Sequence, residues 1–181
     1  MAIEIEKKYR ITEADRVEVT ASLDEFGGEF EGERFEENIL FGNDDLREKM
    51  AVLRLRRTDN GSYITFKQRV ESISDAKQQI EFESRVDDAD SIRSIIESLG
   101  LSAVIVYEKR RKIYKFRSVE VVLDELPFGL FMEIEGSLTA IAEAEMLLGI
   151  EDLEIEHETY PRLTSKFGKR EGDLIVARFE S

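Results

Sequence analysis

Polar and apolar residues alternate along much of this chain, and the polar positions are mostly charged. In the run Glu4-Ile5-Glu6-Lys7-Lys8, residues two apart share one face of a strand. Glu4, Glu6 and Lys8 therefore point one way, and Ile3, Ile5 and Tyr9 the other. The arrangement returns at Leu53-Arg54-Leu55-Arg56, Ile80-Glu81-Phe82-Glu83, Lys109-Arg110-Arg111 and Glu133-Ile134-Glu135. An ordinary barrel turns its apolar face inward. Here each charged set is too regular, and too mixed in sign, for a casual solvent face. The pattern predicts a closed sheet turned inside out, with a charged lumen and an apolar exterior covered by helices.

The remaining elements follow from their punctuation. Thr12-Glu13-Ala14-Asp15 reads as a capping box; Val19, Leu23 and Phe26 continue at helical spacing until Gly27-Gly28. Phe35 to Phe41 reads as a strand, followed by Gly42-Asn43 and a short turn through Glu48. Residues 50–57 and 62–68 form a hairpin through Asp59-Asn60-Gly61-Ser62. A strand over 79–87 precedes a helix over 88–99, whose stripe is Ile92, Ile95, Ile96 and Leu99 and whose stop is Gly100. Residues 104–116 and 119–125 form a second hairpin. Leu126-Pro127-Phe128-Gly129 turns into a strand from Leu130 to Gly136, and a helix runs from about Thr139 to Leu148. The sum is an α+β chain of about eight strands and three helices, a mostly antiparallel meander. Leu174 to Phe179 reads equally as strand or helix.

Composition narrows the class. The 181 residues suit one domain spanning 1–181, with the segment after about 164 left open. A net charge of −14 argues against a nucleic-acid surface and against long-range attraction of an anion, so any anion site is a local basic pocket. Cysteine is absent, which excludes disulfides and thiolate chemistry. The chain opens on a charged strand and has no apolar run of membrane length, so the expectation is a cytoplasmic protein with no membrane partner.

The charged positions fall into two sets. The acids Glu4, Glu6, Glu81, Glu83, Asp124, Glu133 and Glu135 are hard oxygen donors, suited to Mg²⁺ or Mn²⁺. Carboxylates at alternate positions on two strands, Glu4/Glu6 and Glu133/Glu135, can approach a cation from opposite walls. The bases Lys8, Arg54, Arg56, Lys67, Lys109 and Arg111 suit phosphate oxygens, arginine as a fork and lysine as a point charge. Cross-strand ion pairing without a ligand is the competing explanation. A tube sustained only by buried ion pairs is poor for stability, because desolvation offsets the Coulomb gain. A ligand is therefore favoured. His157, the sole histidine, lies in an acidic stretch and suits the surface; Tyr160 suits packing. No P-loop and no nucleophilic serine arrangement is present.

These motifs, in order, resemble the CYTH superfamily, the triphosphate tunnel metalloenzymes. Glu4-x-Glu6-x-Lys8 is similar to its opening signature. Leu53-Arg54-Leu55-Arg56, Lys67, Glu81 with Glu83, Lys109-x-Arg111, Asp124, Gly129 and Glu133-x-Glu135 continue the match over about residues 1–136. The spacing from Asp124 to Glu135 is similar to the class IV adenylyl cyclase-like branch, although Gln78-Gln79 stands where that branch often has arginine. The resemblance implies an eight-stranded antiparallel tunnel that binds a triphosphate with Mg²⁺ or Mn²⁺. It implies catalytic roles for Glu6 and Lys8, phosphate contacts from the basic set and metal contacts from the acidic set. The expected activity is hydrolysis of inorganic triphosphate, thiamine triphosphate or a nucleoside triphosphate. Cyclisation of ATP is the alternative, a non-catalytic polyphosphate-binding module the third, and a homodimer is compatible with each.

Overall fold

The computed structural model describes residues 5–70 and 78–180. Glu4, one of the expected metal ligands, lies outside the described residues. The described chain folds as β1 (Glu6–Ile11), α1 (Glu13–Glu25), β2 (Glu29–Gly42), α2 (Asp44–Glu48), β3 (Ala51–Thr58), β4 (Gly61–Val70), β5 (Gln78–Val86) and α3 (Ala89–Ser98). It continues as β6 (Ser102–Phe116), β7 (Val119–Leu126), β8 (Gly129–Glu135), α4 (Leu138–Leu148), α5 (Tyr160–Phe167), β9 (Lys169–Glu171) and β10 (Leu174–Ala177). The strand order is β1-β8-β7-β6-β2-β3-β4-β5, and β10 lies on β6. No helix among the described residues is long and apolar enough to cross a membrane.

The chain divides into two compact units, one of residues 1–34 and 109–159, the other of 35–108 and 160–181. In the first, β1, β8, β7 and the end of β6 pair antiparallel, with Lys8 opposite Glu133, Glu6 opposite Glu135 and Arg111 opposite Asp124. Their apolar face carries Tyr9, Met132, Ile134, Val121, Leu123 and Tyr114. Helices α1, through Val19 and Leu23, and α4, through Ile141, Ala144 and Leu148, cover it. Thr12 caps α1 in the reciprocal box that its sequence announces. Polar groups also pin α4 to β1. Lys7 Nζ lies 2.7 Å from Glu145 Oε1, and the buried Tyr9 hydroxyl donates to the same carboxylate.

In the second unit, β2, β3, β4 and β5 form an antiparallel run. Ile39, Phe41, Leu55, Leu53 and Ile64 make its apolar face, covered by Ile92 and Ile96 of α3. Each unit thus buries its alternating apolar positions under helices and leaves the charged positions on the opposite sheet face.

One strand start differs from the sequence expectation, the segment left open at the C-terminal end takes a definite form, and the expected β3–β4 hairpin gains its turn residues. Strand β2 begins at Glu29 rather than Phe35; its first half places Glu29, Glu31 and Glu33 at alternate positions beside Gly32 and Arg34, so polarity concealed it. The segment after Tyr160 forms α5 and then a β9–β10 hairpin, with β10 parallel to β6. In the β3–β4 hairpin Thr58 pairs with Gly61, so Asp59-Asn60 form the turn. Gly61 takes φ +136° with the Arg85 guanidinium 3.2 Å from where a Cβ would stand, a place suited to glycine.

Candidate functional site

In the first unit the charged face carries a continuous chain of contacts. Lys8 Nζ lies 3.3 Å from Glu133 Oε1 and donates to the Glu158 carbonyl at 3.3 Å. Arg111 grips Asp124 with both prongs, Nε to Oδ1 at 2.7 Å and Nη2 to Oδ2 at 2.5 Å. The same Nη2 donates to Glu133 Oε2 at 2.6 Å. Lys109 Nζ stands 3.6 Å from Asp124 Oδ2. Five of the expected site residues, Lys8, Glu133, Arg111, Asp124 and Lys109, are therefore joined across four strands. Lys8, Lys109, Asp124 and Glu133 are all buried, Asp124 to 1% exposure. At such depth each charge depends on its partner, because desolvation is offset only by close opposite charge and hydrogen bonds.

A strap over residues 154–158 completes this face. Arg10 N donates to Glu154 O at 3.0 Å and Glu156 N to Lys8 O at 2.8 Å. Tyr9 bridges Ile155. Burial pushes the Glu156 carboxyl up, but the Glu158 N–H, Arg10 and Lys8 outweigh it, and the carboxyl titrates below its usual range. His157, within the strap, is exposed.

In the second unit the charged face is built on register. Arg54, Thr65 and Glu83 form one cross-strand row, and Lys67 stands opposite Glu81. Lys67 Nζ meets Glu81 Oε2 at 2.8 Å. Glu83 Oε2 accepts from Thr65 Oγ1 at 2.8 Å and from Arg56 Nη2 at 3.0 Å, with Arg54 Nη2 at 3.8 Å. Arg54 Nη2 also donates to Thr65 Oγ1 at 3.3 Å. On the other side Arg56 Nη1 stands 4.0 Å from Glu36 Oε1, and Asn38 lies opposite Arg56 in β2.

Glu36, Asn38 and Thr65 are buried polar residues that sequence reasoning did not select. Their signal was present: Glu36 and Asn38 alternate with Ile39 and Phe41, and Thr65 with Ile64 and Phe66. Asn38 Oδ1, Arg54 Nε and Arg56 Nε are buried without a hydrogen-bond partner among the described residues. Each such group costs on the order of 1–3 kcal/mol. Arg57 Nε, next along β3, is in the same position.

For a metal, the donor chemistry fits. Glu6, Glu133 and Glu135 present hard oxygens on one face of β1 and β8. Among the described residues, however, no three acidic side chains converge as a ready-made cage. Asp124 is committed to Arg111 and Lys109, and Glu83 to two arginines.

An antiparallel charged sheet face in each unit, backed by helices and holding paired carboxylates and guanidinium groups, defines an α+β fold. The CYTH domain model matches residues 2–171, and the chain belongs to the CYTH family. A protein of Methanocaldococcus jannaschii, provisionally named an adenylate cyclase, is 33% identical over 150 residues, covering 81% of this chain and 83% of that protein. The structure of PH1012 from Pyrococcus horikoshii OT3 superposes with a TM-score of 0.73 at 26% identity, over 88% of this chain and 98% of that one. HpAC1 from Hippeastrum, an adenylyl cyclase candidate described as having a dominant triphosphatase activity, matches with a TM-score of 0.69 at 17% identity, over 92% and 96% of the two chains. At that identity the likeness concerns the fold alone. The expected α+β class, an antiparallel sheet of eight main strands with flanking helices, holds, but among the described residues the sheet is not the strictly closed barrel expected, its strand path ending at β1 and β5.

Proposed function

We propose that this protein is a divalent-metal-dependent triphosphatase acting on inorganic triphosphate or a small organic or nucleoside triphosphate. The observation that carries the reading is the buried chain Lys8–Glu133–Arg111–Asp124–Lys109, where a helix-backed sheet holds three cations within reach of carboxylates. Family membership supplies the triphosphate context. The same fold is described with a dominant triphosphatase activity in the Hippeastrum protein.

In this reading Lys8, Lys109 and Arg111, and on the other charged face Arg54, Arg56 and Lys67, bind phosphate oxygens and offset the charge that builds at the reacting phosphoryl. Glu6 and Glu135 would hold Mg²⁺ or Mn²⁺, with Glu4 continuing the same alternation in sequence, and Glu133 would join them once a bound phosphate draws Lys8 and Arg111 away from it. A metal held there would offset phosphate charge and would lower the pKa of a coordinated water. Asp124 orients Arg111. Lys8, tied to Glu133 and to the strap carbonyl, is held at the point where a phosphate oxygen gains an ammonium donor.

The provisional name of the M. jannaschii relative favours a second reading, conversion of ATP to cyclic AMP and pyrophosphate. One experiment separates them. The protein is incubated with inorganic triphosphate, ATP or thiamine triphosphate, each with Mg²⁺ or Mn²⁺. Release of phosphate is the expected result. Cyclic AMP from ATP would replace the triphosphatase with the cyclase, and tight binding without turnover in either metal would make the protein a polyphosphate-binding module.

A further inference from the structure

We propose that Glu83 is a displaceable internal counter-anion for the arginines of β3 and not a metal ligand, an inference that rests on the triphosphate reading above. One oxygen of its carboxylate, Oε2, takes Thr65 Oγ1 at 2.8 Å, Arg56 Nη2 at 3.0 Å and Arg54 Nη2 at 3.8 Å. An oxygen ringed by two guanidinium groups and a hydroxyl donor is a poor seat for a divalent cation, which both arginines repel. The groups that donate to it, an Arg56 N–H and the Thr65 hydroxyl, and the Arg54 guanidinium 3.8 Å away are of the kind that a phosphate oxygen draws on. Glu83 and a phosphate compete for one set of hydrogen bonds.

Exposure decides which partner leaves. The Glu83 side chain is 38% exposed, against 20% for Arg54 and 18% for Arg56. The carboxylate is the outer member of the group and can swing into solvent without opening the sheet. Glu36, on the opposite side of Arg56, is only 2% exposed and is fixed in place. Arg56 thus has one permanent anion, Glu36, and one exchangeable anion, Glu83. The exchangeable one keeps both guanidinium groups extended between binding events, which lowers the ordering cost of gripping a ligand. It also weakens affinity by competing. A triphosphate, with several anionic oxygens, can engage donors that a single carboxylate oxygen leaves unused.

The test is calorimetric titration of inorganic triphosphate into the full-length protein in metal-free buffer, followed by Mg²⁺ titration of the complex. Glu83→Gln is expected to bind triphosphate about tenfold more tightly without metal, since the competing charge is gone. Its Mg²⁺ affinity in the complex is expected to match the wild type. Glu83→Ala, which removes the acceptor altogether, is expected to tighten metal-free binding in the same direction. Unchanged metal-free affinity in both variants, with wild-type protein binding normally, would overturn the counter-anion role and leave the proposed function standing. So would a loss of Mg²⁺ affinity, which would return Glu83 to the metal set. Wild-type protein that bound triphosphate only once Mg²⁺ was added would overturn this inference alone, and wild-type protein that bound none with or without Mg²⁺ would overturn the triphosphate reading as well.

Discussion

Arg111 and Asp124 stand directly opposite one another on β6 and β7, joined by two short hydrogen bonds, and Arg111 reaches on to Glu133 with the same nitrogen. Asp124 has no exposed side-chain surface. Removing it would leave Arg111 and Lys109 poorly compensated in a buried place. Asp124→Ala is expected to lower unfolding stability by roughly 3–5 kcal/mol, measured by urea denaturation. A variant within 1 kcal/mol of wild type, by the same roughly 3–5 kcal/mol yardstick, would show that the contact is incidental to folding.

Arg56 distinguishes ion pairing from phosphate binding. If it only pairs with Glu83 and Glu36, Arg56→Lys retains the charge and changes little. If it grips phosphate oxygens, lysine loses the planar second hydrogen bond, and kcat/KM is expected to fall roughly ten- to a hundredfold. The fall is expected for inorganic triphosphate, ATP and thiamine triphosphate alike. A loss confined to ATP would place Arg56 against the base.

Glu6 is exposed on β1, opposite Glu135. Like charges directly opposite on paired strands are unfavourable. Glu6→Gln is therefore expected to leave the melting temperature equal or raised, while abolishing turnover even at saturating Mg²⁺. Full activity in that variant would remove Glu6 from the metal-binding set.

Calcium is expected to inhibit turnover in competition with Mg²⁺, because it accepts oxygen ligands at longer distances and in looser geometry. Equal rates in the two metals would show that tight placement of the cation is not what the chemistry requires.

The Tyr9–Glu145–Lys7 cluster predicts a pH response. Burial raises the Glu145 carboxyl, but hydrogen bonds from Lys7 and Tyr9 outweigh it, and the net shift is below its ordinary 4.5. A carboxyl depressed in the folded state contributes stability above the unfolded value and loses it as pH falls through the folded one. Wild-type stability is thus expected to drop below about pH 4.5, and Glu145→Gln to flatten that part of the profile. Burial and Glu145 raise the Tyr9 hydroxyl far above its ordinary 10.0. Its contribution is complete below about pH 10 and is lost above it, a limb that Tyr9→Phe is expected to remove. Parallel acid limbs in wild type and Glu145→Gln would refute the first assignment.

Much of the molecule was legible because alternation is a local property. A two-residue period states which side chains share a face, so Lys8 with Glu6, and Arg54 with Arg56, were assigned without coordinates. Capping of α1 by Thr12 and Asp15, and the stop at Gly100, were equally local. What escaped had no local mark. The glutamate-rich start of β2 reads as surface, and α5 is a two-turn helix whose start signals, Thr159 before it and Pro161 in its first turn, are too short to stand out. Glu36 and Asn38 look like two more polar residues until β3 places Arg56 beside them.

The sequence by itself therefore determined the inside-out alternation, the two charged sets and the family to which they belong, because side-chain period and residue chemistry need only neighbours along the chain. Only the tertiary structure decided who pairs with whom. Strand register set Arg111 on Asp124 and Arg56 between Glu36 and Glu83, and burial made some of those partners permanent while leaving Glu83 at the surface. Register and burial arise from contacts between residues far apart in the chain, which no local pattern encodes.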